Sequence, residues 1–166
     1  SVMVPCPWST ELVNHVAKHP ELDLGVHLTL NSEWEGYRWG PITTRDPASG
    51  LIDDTGNFWR RPPITQPRMN IAAAVTEFRA QIELLVRAGI DFTHIDNHMG
   101  IAFLPELFMT YIELGFEYRT PVLVIRHIDE YASSLGFGGH DDAEWAELVR
   151  TLEARGMPLV DHFRIT

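Results

Sequence analysis

The sequence is nearly without cysteine. Its 166 residues contain one, Cys6, which excludes an internal disulfide and any multi-cysteine zinc module, so a metal would have to be held by His, Asp or Glu. Cationic runs are missing as well. Lys and Arg number 13 against 23 Asp and Glu, for a formal net charge of −10. Such a chain repels a phosphate backbone, and nucleic acid is not an expected partner. No apolar run approaches the roughly 20 residues that span a bilayer, and the first residues lack the basic-then-apolar layout of a secretory leader. A membrane is therefore not an expected partner either, and a cytoplasmic location is favoured. An initiating methionine is also lacking. The chain opens at Ser1 in what reads as a strand and stops at Thr166 in another, so the expectation is one domain over residues 1–166, cut at both ends. At 45% hydrophobic, it can bury a core without staples.

What is present is an alternation of short apolar segments with capped helical ones, the pattern of an α/β fold with a parallel sheet. Strands are expected at residues 2–4, 24–30, 92–98, 121–126 and 158–163. Helices are expected from Ser9 or Thr10 as cap to about residue 18, over 70–87, from Pro105 to about residue 115, and from an Asp141 or Asp142 cap to residue 155. In the second helix Ile71, Val75, Phe78, Ile82 and Leu85 form one apolar stripe. Five strands joined by helices fit part of a parallel (β/α) barrel or an open doubly wound sheet. Residues 31–68 stand apart. Five prolines, four glycines and five aromatics there are incompatible with a long regular element, and loops of this length are more often functional than passive.

The chemistry concentrates on two strands. Alternation sends His94, Asp96 and His98 of THIDNHMG to one face, with Ile95 and Met99 on the other. An unmatched buried polar group costs on the order of 1–3 kcal/mol, so these three need partners. A divalent cation is one such partner, because it binds neutral imidazole and carboxylate together. In DLGVHLTL, His27 is a second isolated imidazole on an apolar strand. Sites in α/β folds form at the carboxyl ends of parallel strands, which places His27 and His98 near one mouth. The alternative for each histidine alone is a hydrogen-bonded core residue. His15, His19, His127, His140 and His162 read as surface or structural. Among the loop aromatics Trp34, Tyr37, Trp39, Phe58 and Trp59, some can stack on sugar rings, and all can equally serve as packing.

Taken in order and spacing, GVHLTL, SEWEGYRWGPI, TEFRAQIELLVRAGI, THIDNHMG and VLVIR resemble the YdjC-like carbohydrate deacetylases, which include chitooligosaccharide deacetylases. The resemblance covers residues 1–126 and thins beyond them. It implies a barrel-like (β/α) fold, a divalent metal ion (magnesium or zinc), and hydrolysis of an N-acetyl group from an amino sugar, with a small carbohydrate as substrate and a homo-oligomer as a possible assembly. It makes His27 and His98 metal ligands, Asp96 a site residue whose role the motif does not fix, the catalytic base being either Asp96 or a carboxylate of the upstream strand, and Arg126 a pocket-lining arginine able to steady an oxyanion. Trp34, Trp39 and Trp59 become substrate-binding candidates.

Two departures stand out. Further histidines follow the second motif in many members, where Met99 and Gly100 stand here. The family also begins with a strand ending in paired aspartates that supplies a third ligand, and closes with a late histidine motif. Neither occurs in this sequence, and an upstream aspartate is the expected completion of the site. Two rivals share these residues: a metal-dependent phosphoesterase or amidohydrolase on a related barrel, and a non-catalytic sugar-binding module.

Overall fold

The structure, a computed structural model, describes residues 1–128 and 141–162. Two strands carry its centre. β1 (Gly25–Leu28) and β2 (His94–Asn97) pair in parallel, with Gly25 opposite His94, Val26 opposite Ile95, His27 opposite Asp96 and Leu28 opposite Asn97. Single parallel bridges widen this sheet: Val2 to Val26 on one side, Ile95 to Val122 on the other, and Ile125 to Val160 beyond. Strand positions thus follow one another across the sheet in chain order. The expected strands at 2–4, 121–126 and 158–163 are present only as these bridges, and residue 163 lies outside the described residues. Pro121 and Pro158 have no N–H to give to a ladder, which shortens pairing at the start of both segments.

Helices cover the sheet. α1 spans Ser9–Val16, α2 Pro62–Thr65, α3 Ile71–Arg87, α4 Pro105–Glu117 and α5 Asp142–Ala154. The expected cap of the last helix is in place, Asp141 accepting from Ala143 N and Glu144 N, and Asn70, expected as the first residue of its helix, stands one position before α3 as its cap, accepting from Ala73 N. Helix α1 differs. It begins at Ser9 itself, behind Trp8, with no side-chain cap.

The buried face of α3 also departs from the expected stripe. Phe78, Ile82 and Leu85 are fully buried, each contributing roughly 1.5–3 kcal/mol, but Ile71 is exposed, and the polar Glu77 and Gln81 are buried beside them. Both polar residues have partners in the strand and loop described below. Helix α4 is fastened through Tyr111, whose hydroxyl lies 2.8 Å from Ile95 O and 3.2 Å from Leu123 O, between two neighbouring strand positions. A Cβ at Gly25 would meet the His94 ring at 2.1 Å, so the glycine leaves the space in which that ring lies. Among the described residues no helix is long and apolar enough to cross a membrane.

Candidate active site

The parallel register makes His27 and Asp96 direct neighbours, and their side chains meet. His27 Nδ1 is 2.7 Å from Asp96 Oδ1. A carboxylate only accepts, so Nδ1 carries the proton and the lone pair of the neutral ring sits on Nε2. The other oxygen of Asp96 accepts from the Ser1 hydroxyl at 2.7 Å, and Ser1 Oγ is also 3.3 Å from His94 Nε2. Burial works to raise the pKa of Asp96, but the hydrogen bond and charge of His27, with help from Ser1, hold it below the ordinary carboxylate value.

His98 stands just past β2. The strand stops at Asn97, and His98 opens a short helical turn, His98–Phe103, in which Met99 and Gly100 take positive φ of 54° and 70°. The turn explains why the expected strand ends one residue early, since a left-handed pair cannot continue a ladder. Its ring lies edge to face with His27, the centroids 5.4 Å apart. His98 Nε2 is 2.8 Å from Glu33 Oε2, and burial pushes its pKa down against the opposing pull of Glu33. Two imidazoles, each held by a carboxylate, therefore converge at the ends of adjacent parallel strand positions.

The segment 31–68 builds one wall. Trp39 is buried, with its ring 6.2 Å from His98, and Tyr37 and Trp34 continue outward at 5.9 and 6.3 Å in turn. Trp34 is 61% exposed at the outer end. Trp59 is turned to its own loop: its Nε1 donates to Gly50 O, and Arg68 lies over its ring. Arg126 is likewise occupied elsewhere, paired with Glu153 at 2.7 Å and Asp161 at 2.6 Å. The structure thus brings together His27, Asp96, His98 and Trp39, with Trp34 at the rim, and sets Trp59 and Arg126 in other contacts. Burial pushes the Cys6 thiol up to about 11, with Glu33 adding to the effect.

Sequence patterning assigns no role to Glu33, Glu77 or Gln81. Gln81 grips the chain two residues beyond His27, its Oε1 accepting from Thr29 N at 2.9 Å and its Nε2 donating to Thr29 O at 2.8 Å. Glu77 accepts from Ile42 N, Thr43 N, the Thr43 hydroxyl and Gln81 Nε2. Two polar residues four apart on an otherwise apolar helix face were the available signal, since a helix buries such a pair only against donors and acceptors.

A profile of YdjC-like proteins matches residues 1–164. The chain belongs to this family. Curated relatives include a carbohydrate deacetylase of Thermus thermophilus, 32% identical over 75% of this chain and 43% of that protein, and one of Brevibacillus brevis, 31% identical over 74% and 46%. A third, from Enterococcus faecalis, is 33% identical over 49% of this chain and 29% of its own length. This YdjC-like chain spans less than half the length of these relatives. Among solved structures, a proposed cellobiose-phosphate cleavage protein of Enterococcus faecalis has the same fold, with a TM-score of 0.68 at 22% identity over 96% of this chain and 54% of that one.

Among the described residues no three His, Cys, Asp or Glu are grouped to hold a metal ion. The two imidazoles fit as part of such a site: their rings are adjacent, and each has one nitrogen engaged by a carboxylate and the other left with a lone pair. Carboxylate-anchored histidine is the arrangement that fixes the tautomer of metal-binding imidazoles generally.

Proposed function

We propose that this chain forms the histidine-bearing part of a metal-dependent carbohydrate deacetylase, which removes acetyl groups from N-acetylated amino sugars or oligosaccharides by hydrolysis. The observation that carries the reading is the convergence of His27 and His98, each held by a carboxylate, beside an aromatic wall. The names of the curated relatives point the same way. Strand positions that follow chain order, all parallel and with the histidines at their carboxyl ends, support the view that the sheet is a section of a (β/α) barrel with its site at the usual face.

In this reading His27, through Nε2, and His98 would hold a divalent ion, magnesium or zinc, which when bound supplies a Lewis acid and a water of lowered pKa. The side chains of the chain do the positioning. Asp96 fixes the His27 ring through Nδ1, and its low pKa keeps it an acceptor at neutral pH. Trp39 closes the inner wall against His98 and shields it from bulk water, while Trp34 and Tyr37 offer ring faces to the apolar side of a sugar. Arg126, tied to Glu153 and Asp161, has no step in this scheme.

Acetate release by the full-length protein from a panel of N-acetylated chitooligosaccharides, with and without chelator, tests the reading. His27→Ala and His98→Ala should each abolish turnover. Sugar binding without acetate release, unaffected by either substitution or by chelator, would replace it with the sugar-binding module that the Trp34–Tyr37–Trp39 series also suits.

A further inference from the structure

The two histidines of the site are anchored through different nitrogens. His27 is held through Nδ1 by Asp96, but His98 is held through Nε2 by Glu33. The Glu33 carboxylate only accepts, so Nε2 of His98 is the protonated nitrogen, and in a neutral ring the lone pair is then on Nδ1. An imidazole that binds a metal is neutral.

We propose that Glu33 is a positioning residue for His98, fixing its Nε2–H tautomer so that the pair of histidines presents unlike nitrogens, Nε2 from His27 and Nδ1 from His98. The proposal rests on the reading that both rings serve one metal site.

The backbone around Glu33 is built to hold it in place. Ser32 is fully buried; its N–H donates to Trp59 O at 3.0 Å, and its hydroxyl oxygen accepts from Trp39 N and Arg38 Nε, both at 3.1 Å. Asn31 donates to Thr65 Oγ1 at 2.7 Å and Trp59 O at 3.1 Å, and the carbonyl of Glu33 itself accepts from Arg60 Nη1 at 3.3 Å. Its side chain is 25% exposed, whereas Glu35, two residues on, is 93% exposed and reaches only Arg60 at 4.0 Å. One glutamate of the segment is thus committed to His98 and the other to solvent. Fixed backbone on both sides gives the Glu33–His98 bond a low ordering cost, which is what a positioning contact requires.

The experiment uses full-length protein with 15N-labelled histidine. In metal-free protein, long-range 1H–15N spectra should show His98 as the Nε2–H form and His27 as the Nδ1–H form. Glu33→Ala should leave His98 as a mixture of tautomers and weaken calorimetrically measured Zn2+ binding roughly 10- to 100-fold. Glu33→Gln, whose amide oxygen still accepts from Nε2–H, should keep the tautomer and most of the affinity. The proposal is overturned if His98 is Nδ1–H in the parent, if Glu33→Ala binds Zn2+ as the parent does, or if Glu33→Gln is as weak as Glu33→Ala, which would mean that the charge itself is needed as a ligand. Controls separate this from the wider reading. If His27→Ala and His98→Ala bind Zn2+ like the parent, the metal site fails, while the tautomer of His98 in the metal-free spectra still decides what Glu33 does.

Discussion

The two sides of the site are held by different means. On the strand side, His27 and Asp96 are register partners in a parallel ladder, so the backbone hydrogen bonds of β1 and β2 set their separation. On the loop side, His98 leaves its strand in a left-handed turn and takes its partner, Glu33, from a segment with little regular structure. A ladder distributes its hold over many equivalent bonds. A loop depends on a few individual side chains: Asn31, Ser32, Arg38 with Asp53, and the buried Glu77 and Gln81. The first arrangement should tolerate single substitutions except at the paired residues themselves, and the second should fail one lock at a time.

Beyond the two histidines and Glu33, the largest effect is expected where the strand side is cut at its centre. Asp96→Ala removes the acceptor that fixes His27, and loss of such an anchoring partner costs metal affinity or activity roughly 10- to 100-fold. Zn2+ titration and acetate release on the full-length protein should fall together, while Asp96→Asn, which retains an acceptor oxygen, should lose less. Equal behaviour of the parent and Asp96→Ala in both measurements would show that the strand pair only packs the sheet.

Much of the strand side could be read from the sequence, because alternation in HIDN is a local property. His94 and Asp96 do share the less buried face, and Ile95 and Asn97 the more buried one. That His27 lies directly opposite Asp96 could not be read, since register depends on how two segments 69 residues apart align. The partner of His98 was further out of reach. Glu33 lies in a stretch without periodicity, and nothing local separates it from Glu35; only the fold brings one of them to the ring. The end of β2 at Asn97 was hidden for a related reason, as Met99 is a poor indicator of a positive φ that its surroundings impose. Trp59 shows the converse, an aromatic with the right composition that the structure commits to Gly50 and Arg68.

On the loop side, Gln81→Ala should have the next largest effect. It leaves Thr29 N and O without their buried partners, and each stranded group costs about 1–3 kcal/mol. Urea unfolding should show the loss of stability, and limited proteolysis should cut within residues 31–68 faster than in the parent. Unchanged proteolysis with lowered stability would mean that Gln81 supports the sheet and not the loop.

The Arg38–Asp53 lock gives a smaller effect with a pH signature. Burial acts to raise the pKa of Asp53, but the Thr55 hydroxyl, Arg38 and the amides of Thr55 and Asn57 hold it below its ordinary value. A carboxylate whose folded pKa is depressed contributes stability above its unfolded pKa of about 3.9, and that contribution is lost as pH falls through the folded value. Asp53→Asn should therefore be less stable than the parent by about 1 kcal/mol at pH 7. The gap should close on acidification below about pH 4. A gap that stays constant over that range would mean that the side chain acts by shape and not by charge.

The smallest effect is expected at the outer end of the aromatic series, and it separates wall from platform. Trp39 is buried against His98, so replacing it would open the core and disturb several contacts at once. Trp34 is 61% exposed and touches only Tyr37 within the series. Its removal creates no cavity, and unfolding should move by no more than about 0.5 kcal/mol. If its ring face carries a sugar unit remote from the acetyl group, Trp34→Ala should raise KM roughly two- to tenfold, equivalent to about 0.5–1.5 kcal/mol of ring stacking. The value of kcat should hold, because binding energy far from the reacting carbonyl is the same in ground and transition states. The effect should also depend on chain length, being larger for an oligosaccharide long enough to reach the rim than for a single N-acetylated sugar. An equal rise in KM for both substrates would place Trp34 over the reacting sugar itself, and no rise for either would leave the exposed ring without a part in binding.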